Sequence, residues 1–247
     1  MEAALLQTGQ MQVHMRQVQD IQYQLLPGAD RQTTDIVIER DGVVRVRPPL
    51  RMTPEQADET VFSKRMWIYR NLAEWRDLNA TRIVREWVNG ESFLYLGSNY
   101  RLSMVDHQTE PLKLKDGRFQ LRRSLVEQGG RDAAQTAFEQ FYKEKGLARI
   151  EQRVSHFAPR VGVQPGEVLV KELGYRWASC FPSGAMHFHW KCLMAPLTVI
   201  DYIVVHELCH MRHRDHSDTF WNEVDKVLPQ YRERKEWLRQ RGANLDV

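Results

Sequence analysis

The feature that most constrains this chain is a His-Glu-x-x-His motif at His206 to His210, inside an apolar segment. The apolar run 199–205 predicts a buried helix. Residues four apart on a helix share one face, with Cβ atoms about 5–6 Å apart, so two imidazoles there can bind one metal ion. Glu207 is offset by about 100° and can face a water at the ion without being a ligand. The motif therefore predicts a Zn²⁺ site with His206 and His210 as ligands and Glu207 as general base.

The alternative is a core helix whose two histidines are satisfied by hydrogen bonds and whose glutamate reaches solvent. A Glu207 buried beside two histidines is costly without a partner. A metal ion removes that conflict, so the metal site is the favoured interpretation.

Two further histidines, His213 and His216, are candidates for a third ligand. On a straight helix His213 would lie about 10.5 Å along the axis from His206. Three histidines stacked in this way approach an ion nearly in line, whereas zinc prefers tetrahedral coordination. Residues 212–215 lack apolar spacing and Ser217 is a helix N-cap signal, so we expect the chain to bend after His210. The bend predicts His216 as the third ligand and His213 as a neighbour of the ligands or of the cleft.

Composition places the chain among ordinary soluble proteins. It has 247 residues, 42% hydrophobic and 27% charged, and a net charge of +3 that by itself indicates no nucleic-acid partner. Three unpaired-looking cysteines fit a reducing compartment. The first residues lack a signal-peptide pattern, and no apolar run is long enough to span a membrane. We therefore expect a cytoplasmic protein.

The first half of the chain reads as a tail at 1–20 followed by a strand-rich region at 21–125 with one helix. The tail is expected to be loose or a single short helix. Thr53 is expected to cap this helix, with Pro54 in its first turn and Gln56 at the capping-box position, and the helix is expected to run to about Arg76. The expected strands and turns are 21–26, 35–46 with a hairpin turn at Asp41-Gly42, 93–96 and 100–105 around a loop at 97–99, and 112–114 and 119–121 around Asp116-Gly117.

The second half, 126–247, reads as one domain around the motif helix. A long helix is expected from Arg131 to about Phe157, then a strand at 168–171 and a hairpin of 176–180 and 186–190. Strand 186–190 precedes the motif helix, and if it is a sheet edge beside the cleft, an extended peptide can pair with it. Pro196 starts the motif helix. Ser217 caps a helix that ends before Pro229, and a basic helix occupies 231–241.

Several stretches together resemble the YgjP-like metallopeptidase family, which is related to SprT-type and WLM zinc peptidases. The matching stretches are 95–97 with 100–102, 176–180, 195–196, 199–208, 213–217 with 220–221, and 229–231. The resemblance implies an α+β fold whose C-terminal part is a zincin-like metallopeptidase domain with a small sheet. It also implies zinc bound by His206, His210 and His216, with Glu207 as the base. Metzincin-type peptidases share the third-histidine spacing but have Gly at the turn where this chain has His213.

The chain departs from that family at three positions, where it has Ala178, His189 and Cys209 instead of Gly, Asn and Ala. Two of these are exchanges between small residues. His189 forms His-x-His with His187 on one strand face, which leaves three alternatives: a second metal site, a side chain lining the cleft, or one pointing to solvent.

The leading function is a cytoplasmic zinc-dependent peptidase acting on peptides or proteins. Three histidines leave the fourth zinc position open for water, and Glu207 is expected to take its proton and pass it to the leaving amine. Arg176 and His213 are candidates for polarising the substrate carbonyl, although Arg176 is equally suited to a structural salt bridge.

Two rival functions stay open. The first is a metal-dependent nucleotide phosphohydrolase or pyrophosphatase, with Arg and Lys near the site holding phosphates, although the sequence has no Gly-rich phosphate loop. The second is a non-enzymatic zinc-stabilised module whose basic last helix binds nucleic acid; SprT-type relatives act near DNA, but a structural zinc site needs no Glu207. The sequence leaves the substrate and the oligomeric state undetermined.

Overall fold

The computed structural model describes residues 13–30, 32–38, 42–79, 85–173 and 176–247, with the side chains of 74–79 left out. The chain is α+β, with a strand-rich N-terminal region and a helical C-terminal part. It divides into two compact units, Met1–Ala80 and Thr81–Val247. This division differs from the boundary expected near residue 125, because the hairpins after residue 90 share one hydrophobic core with the helices that follow.

In the first unit, the residues that the structure describes form a four-stranded sheet and two helices. Its elements are β1 (His14–Val18), β2 (Ile21–Leu25), β3 (Asp35–Ile38), β4 (Val44–Arg47), α1 (Pro54–Ser63) and α2 (Arg65–Asn79), and the strand order is β1-β2-β4-β3. Strands β3 and β4 pair antiparallel, as the hairpin prediction requires, although Asp41 of its turn lies outside the described residues.

Two expectations for the first unit are corrected by the structure. Residues 14–18 of the expected tail form strand β1, an edge strand with little apolar character that is held by backbone pairing to β2. The single expected helix is broken at Lys64 into α1 and α2. Side chains compete for helix carbonyls at this point, since Ser63 donates to the carbonyl of Thr60 and Arg65 donates to that of Phe62. The predicted capping box of Thr53 and Gln56 at the start of α1 is confirmed.

The described residues of the second unit form two small sheets and four helices. Its elements are β5 (Ser92–Tyr95), β6 (Ser98–Val105), β7 (Leu112–Lys115), β8 (Arg118–Arg122), α3 (Arg123–Val161), β9 (Val168–Lys171), β10 (Ala178–Cys180), β11 (Met186–His189), α4 (Leu197–His210), α5 (Asp218–Val227) and α6 (Tyr231–Arg241), with short 3-10 turns at Trp190–Met194 and Gly242–Asn244. The sheets have orders β5-β6-β8-β7 and β10-β11-β9. None of the described helices combines the length and apolar character that crossing a bilayer requires.

The β5–β6 turn is tighter than predicted and contacts the start of the motif helix. Leu96 and Gly97 form a two-residue turn with φ of 50° and 81°, so that the strand pairing extends to Tyr95 and Ser98. The amide of Leu96 donates to the carbonyl of Leu193 at 2.7 Å. A Cβ on Gly97 would lie 2.8 Å from Cα of Pro196, so this position needs glycine for both its φ and its close approach.

Helix α3 forms one wall of the core behind the motif helix. It begins at Arg123, earlier than the expected Arg131, because a turn of helix precedes a kink at Gly130, where φ is 62°. Gly146 does not break the helix: a Cβ there would lie 2.7 Å from Cδ2 of Leu193, so its absence lets the segment before α4 pack closely on α3.

The sheet beside the motif helix does not have strand 186–190 at its edge. Strand β11 lies in the centre, antiparallel to β10 and parallel to β9. A peptide therefore cannot add to β11. The edge strand that packs on α4 is β10. It lies at the edge because β11, the next strand along the chain, is placed between β10 and the earlier strand β9.

Candidate metal centre and cleft

Helix α4 places two histidines and one glutamate because nearly all of it is buried. From Val199 onward its other residues are buried, so the position of its axis is fixed by core contacts. His206 and His210 lie one turn apart on the same face, and their Nε2 atoms are 3.1 Å apart. The two imidazoles thus converge on a single point.

The chain bends after His210 and brings His216 back to the same point. The side chain of Arg212 holds the bend, since Nη1 donates to the carbonyl of Val161 at 3.1 Å and to Oε1 of Glu223 at 3.2 Å. Helix α5 then starts after N-cap Ser217, although no side-chain bond caps it. As a result, Nε2 of His216 lies 3.1 Å from Nε2 of His206.

The donor set fits a tetrahedral metal ion. The candidate ligand atoms of the three histidines all lie within 4.8 Å of one another. Two nitrogen ligands of a tetrahedral zinc at about 2.0–2.1 Å are roughly 3.3 Å apart, close to the 3.1 Å seen between the Nε2 atoms here. Nδ1 of His210 lies 3.0 Å from the carbonyl oxygen of His213, which can only accept, so the proton is on Nδ1 and the Nε2 lone pair is free for a metal.

The surroundings favour the neutral form of all three imidazoles, which is the form that binds metals. Burial, followed by the neighbouring charges of His210 and His216, lowers the pKa of His206 to about 3. Burial is also the main cause of the lowered pKa of His210 and of His216.

Helix α5 supplies an aromatic wall for the three rings. Phe220 is fully buried and stacks on His210, with ring centroids 4.6 Å apart. Trp221 stacks on His216 at 5.7 Å and an interplanar angle of 24°. Both aromatic rings also contact His206. The rotamers of the imidazoles are therefore limited by packing as well as by the backbone.

Glu207 faces a cleft that His206 also lines. It is only 6% exposed, and its carboxylate accepts a hydrogen bond from the backbone N–H of Cys180. Burial raises the pKa of Glu207 to about 8, against the opposing effects of the Arg176 charge and the Cys180 hydrogen bond. The cleft has a volume of about 230 Å³ and is lined by Arg176, Trp177, Ala178, Tyr202, Ile203, His206, Glu207 and Leu238.

Strand β10 has backbone groups that point toward this cleft and not toward β11. The amide of His189 donates to the carbonyl of Trp177, and that of Phe181 to Ala185, so these positions bond across the hairpin. In an antiparallel pair the bonding direction alternates, which directs the N–H and C=O of Ala178 away from β11. The bond from Cys180 to Glu207 has the same outward direction. The edge of β10 thus lines the cleft next to the carboxylate.

Comparison with known proteins gives a family for the chain. The family model of the YgjP-like metallopeptidase domain matches residues 32–241. The chain belongs to the YgjP-like metallopeptidase family. Among solved structures it is similar to the metallopeptidase zymogen of Pyrococcus abyssi abylysin, at 27% identity over 35% of this chain and 89% of that chain, with a TM-score of 0.34. No curated protein matches the chain.

The structure separates the remaining candidate residues of this YgjP-like chain. Arg176 lies in the cleft, whereas the contact of His213 with the ligand set is through its carbonyl and not through its ring. His189 is 1% exposed: its Nδ1 accepts from the amide of Lys191, and its Nε2 lies 2.8 Å from Oε1 of Glu172. The ring of His187 packs on Phe181. Within the described ranges, the one group of three or more potential metal-binding side chains is the histidine triad.

Several residues of the site were not identified from the sequence. Tyr202 precedes His206 by one helical turn and lines the cleft, so the same i, i+4 spacing that identified the histidines points to it. Trp221 follows His216 closely, but its contact with the imidazoles depends on the bend. The hydrogen bond from Cys180 to Glu207 joins residues distant in sequence, and no local pattern indicates it.

Proposed function

We propose that this chain is a zinc-dependent peptidase of zincin-like architecture, with zinc bound by His206, His210 and His216 and with Glu207 as general base. One observation carries the proposal: three neutral imidazoles converge on one point, while the adjacent buried carboxylate faces a cleft edged by a β-strand. A set of three nitrogen ligands with a free fourth position is typical of catalytic zinc sites.

When bound, zinc would lower the pKa of a water molecule and polarise the carbonyl of the scissile bond. Glu207 takes the proton of the attacking water and passes it to the leaving amine. The Cys180 amide holds the carboxylate in place during both transfers.

An extended peptide is positioned by the edge of β10. The N–H and C=O of Ala178 point away from β11, so they can pair with the backbone of an extended substrate, as in strand addition. Arg176 is placed in the cleft to donate to substrate oxygens, and Leu238 and Trp177 limit access of bulk water. The peptide-binding role considered for strand 186–190 thus passes to its neighbour β10.

The test of this function is hydrolysis of a peptide library by zinc-loaded protein, with and without chelator, together with the Glu207→Gln variant. Glutamine keeps the shape but cannot accept the proton, so we expect hydrolysis to fall by at least about 100-fold, the usual range for a general base. The zinc content of the variant should stay at one ion per chain by metal analysis. Loss of zinc, or activity within tenfold of the parent, contradicts the role of Glu207.

A second function is favoured by one observation. Three cationic side chains of α6 line a groove next to Trp221, which contacts the histidines, and this arrangement suits a phosphorylated substrate. A nucleotide panel assayed beside the peptide library decides between phosphohydrolase and peptidase.

A further inference from the structure

A second concave surface lies beside the histidines, between α5 and α6. We call it the α6 groove; it has a volume of about 370 Å³ and is lined by Trp221, Tyr231, Arg232, Lys235, Glu236 and Arg239. The three cations recur at helical spacing and so share one face of α6. With one carboxylate in the lining, the α6 groove carries net positive charge.

Trp221 connects the α6 groove directly to the metal centre. Its indole stacks on His216 with ring centroids 5.7 Å apart and lies 5.9 Å from His206. The same indole stacks on Tyr231 at 5.4 Å and 14°. A molecule in the α6 groove would therefore lie one aromatic side chain away from the histidine triad.

The cations of the α6 groove differ in how they are neutralised. Arg239 pairs with Glu236 at 2.6 Å, and Arg232 lies 3.3 Å from Asp225. Lys235 holds its ammonium 4.0 Å from the centroid of Trp221, and no carboxylate of the described part of the chain lies within 4.0 Å of it. Among the three cations, Lys235 is therefore held in place by Trp221 and has no carboxylate partner among the described residues.

We propose that the α6 groove is a substrate subsite that binds an acidic side chain of a peptide, with Lys235 contacting the carboxylate. The proposal rests on the proposed peptidase function. The contacts through Trp221 place the ammonium within roughly 10 Å of the His216 ring, and an extended peptide advances about 3.3–3.6 Å per residue. The acidic residue should therefore lie two or three positions from the scissile bond.

The same features disfavour a nucleic acid as the occupant. Proteins that bind single strands offer open aromatic faces on which bases stack. Here Trp221 is already in contact with His216, Tyr231 and Lys235. Stable binding to duplex DNA takes several unpaired cations along the surface, whereas two of the three arginine and lysine side chains in this groove are paired with carboxylates.

The test uses zinc-loaded protein and a peptide that it cleaves, with Glu or Gln placed in turn at each of three positions on either side of the scissile bond. We expect Glu to be preferred over Gln by about fivefold in kcat/KM at one of the second or third positions, the size of a partly exposed ion pair. Lys235→Met should bring this ratio close to one. Lys226→Met is the matched control, because Lys226 is an exposed lysine on α5 that pairs with Glu223 outside the groove, and it should keep the ratio.

A binding measurement separates the outcomes. Calorimetry with the Glu207→Gln variant should show the Glu peptide binding more tightly than the Gln peptide, and this difference should disappear when Lys235→Met is added. Equal rates for the two peptides, or a preference that survives Lys235→Met, overturn the subsite while peptide hydrolysis itself upholds the peptidase. Lys235-dependent binding of inorganic phosphate or single-stranded DNA in place of the Glu peptide also overturns it. Absence of hydrolysis of every peptide by the zinc-loaded parent overturns the function on which the subsite rests.

Discussion

At the scale of single residues, the three histidines differ in how the chain holds them. His206 and His210 belong to a buried helix, and the tautomer of His210 is fixed by the carbonyl of His213. His216 is exposed and stands on a bend that one guanidinium, that of Arg212, ties down. The contribution of His213 comes from its backbone, which a side-chain substitution leaves in place.

This difference predicts opposite results for two neighbouring substitutions. His216→Ala should weaken zinc binding by more than about 100-fold, since losing even an outer-shell partner of a ligand costs about 10–100-fold. His213→Ala should bind zinc within about threefold of the parent, because the carbonyl that bonds to His210 remains. Competition with a chromophoric chelator measures both affinities. An emptied site in His213→Ala beside a filled site in His216→Ala would reverse the ligand assignment.

Part of this site follows from the sequence alone. Helical spacing brings His206 and His210 together, and the coordination geometry of zinc makes a bend before His216 necessary. Sequence patterns do not indicate that His189 is buried or that both of its nitrogens have partners, because its partner Glu172 is brought close by the pairing of β11 with β9. For the same reason, the bond between Cys180 and Glu207 could not be anticipated.

At the scale of elements, the start of the motif helix depends on a hairpin turn distant in sequence. Gly97 and Gly117 are both the second residue of a two-residue turn with positive φ. Alanine at either position should cost about 1–2 kcal/mol for the left-handed backbone. Only at Gly97 would the new Cβ also meet Pro196, at 2.8 Å, whereas nothing lies within 4 Å of the corresponding point at Gly117.

We therefore expect Gly97→Ala to lower the free energy of unfolding by a further ~1–3 kcal/mol beyond Gly117→Ala, the usual cost of overpacking. Urea denaturation of the two variants measures the difference. The backbone strain is the same in both variants. Equal destabilisation would therefore show that the residues around Pro196 make room for the new Cβ without loss of stability.

The elements that could be predicted are those whose signal is local. The Asp116-Gly117 hairpin and the Thr53 capping box are encoded by a few adjacent residues, and both are confirmed. Strand β1 was missed because it is a polar edge strand that depends on its neighbour β2. The order of β10, β11 and β9 is decided by long-range pairing, and therefore the sequence alone does not indicate which of them lies at the edge.

At the scale of the whole molecule, each of the two compact units has its own hydrophobic core. The three candidate ligand histidines all belong to the second unit, so zinc should stabilise that unit. At a free zinc concentration of about 1,000 times Kd the gain is about 4 kcal/mol. Hydrogen exchange should slow in α4 on adding zinc, while β2 of the first unit provides an internal control with unchanged exchange. Equal slowing in β2 would contradict separate stabilities.

The first unit has its own polar anchor. Asp58 accepts hydrogen bonds from Arg16 and from the buried Tyr23, and the bonds from Arg16 hold the pKa of Asp58 below its usual value. Asp58→Asn should destabilise this unit by about 1–3 kcal/mol. Glu55→Gln is the control, because Glu55 is largely exposed and 3.7 Å from Arg16, and it should have little effect.

The sign of the pH dependence follows from the lowered pKa. The stabilisation by Asp58 is present above the unfolded-state pKa of about 3.9 and is lost as the pH falls through the lower folded-state value. Acid unfolding of the first unit, followed by hydrogen exchange in β2, should therefore be less steep in Asp58→Asn. An unchanged acid profile would assign the acid sensitivity to other carboxylates.

The bend that carries His216 sets how quickly a bound ion could be exchanged. Two of the three imidazoles are fixed to a buried helix, and moving them requires disruption of the core. The third could leave when a few residues between α4 and α5 open, which breaks the contacts of Arg212 and the stacking of His216 on Trp221. We therefore expect the residence time of a bound ion to depend on this surface segment more than on the stability of the fold.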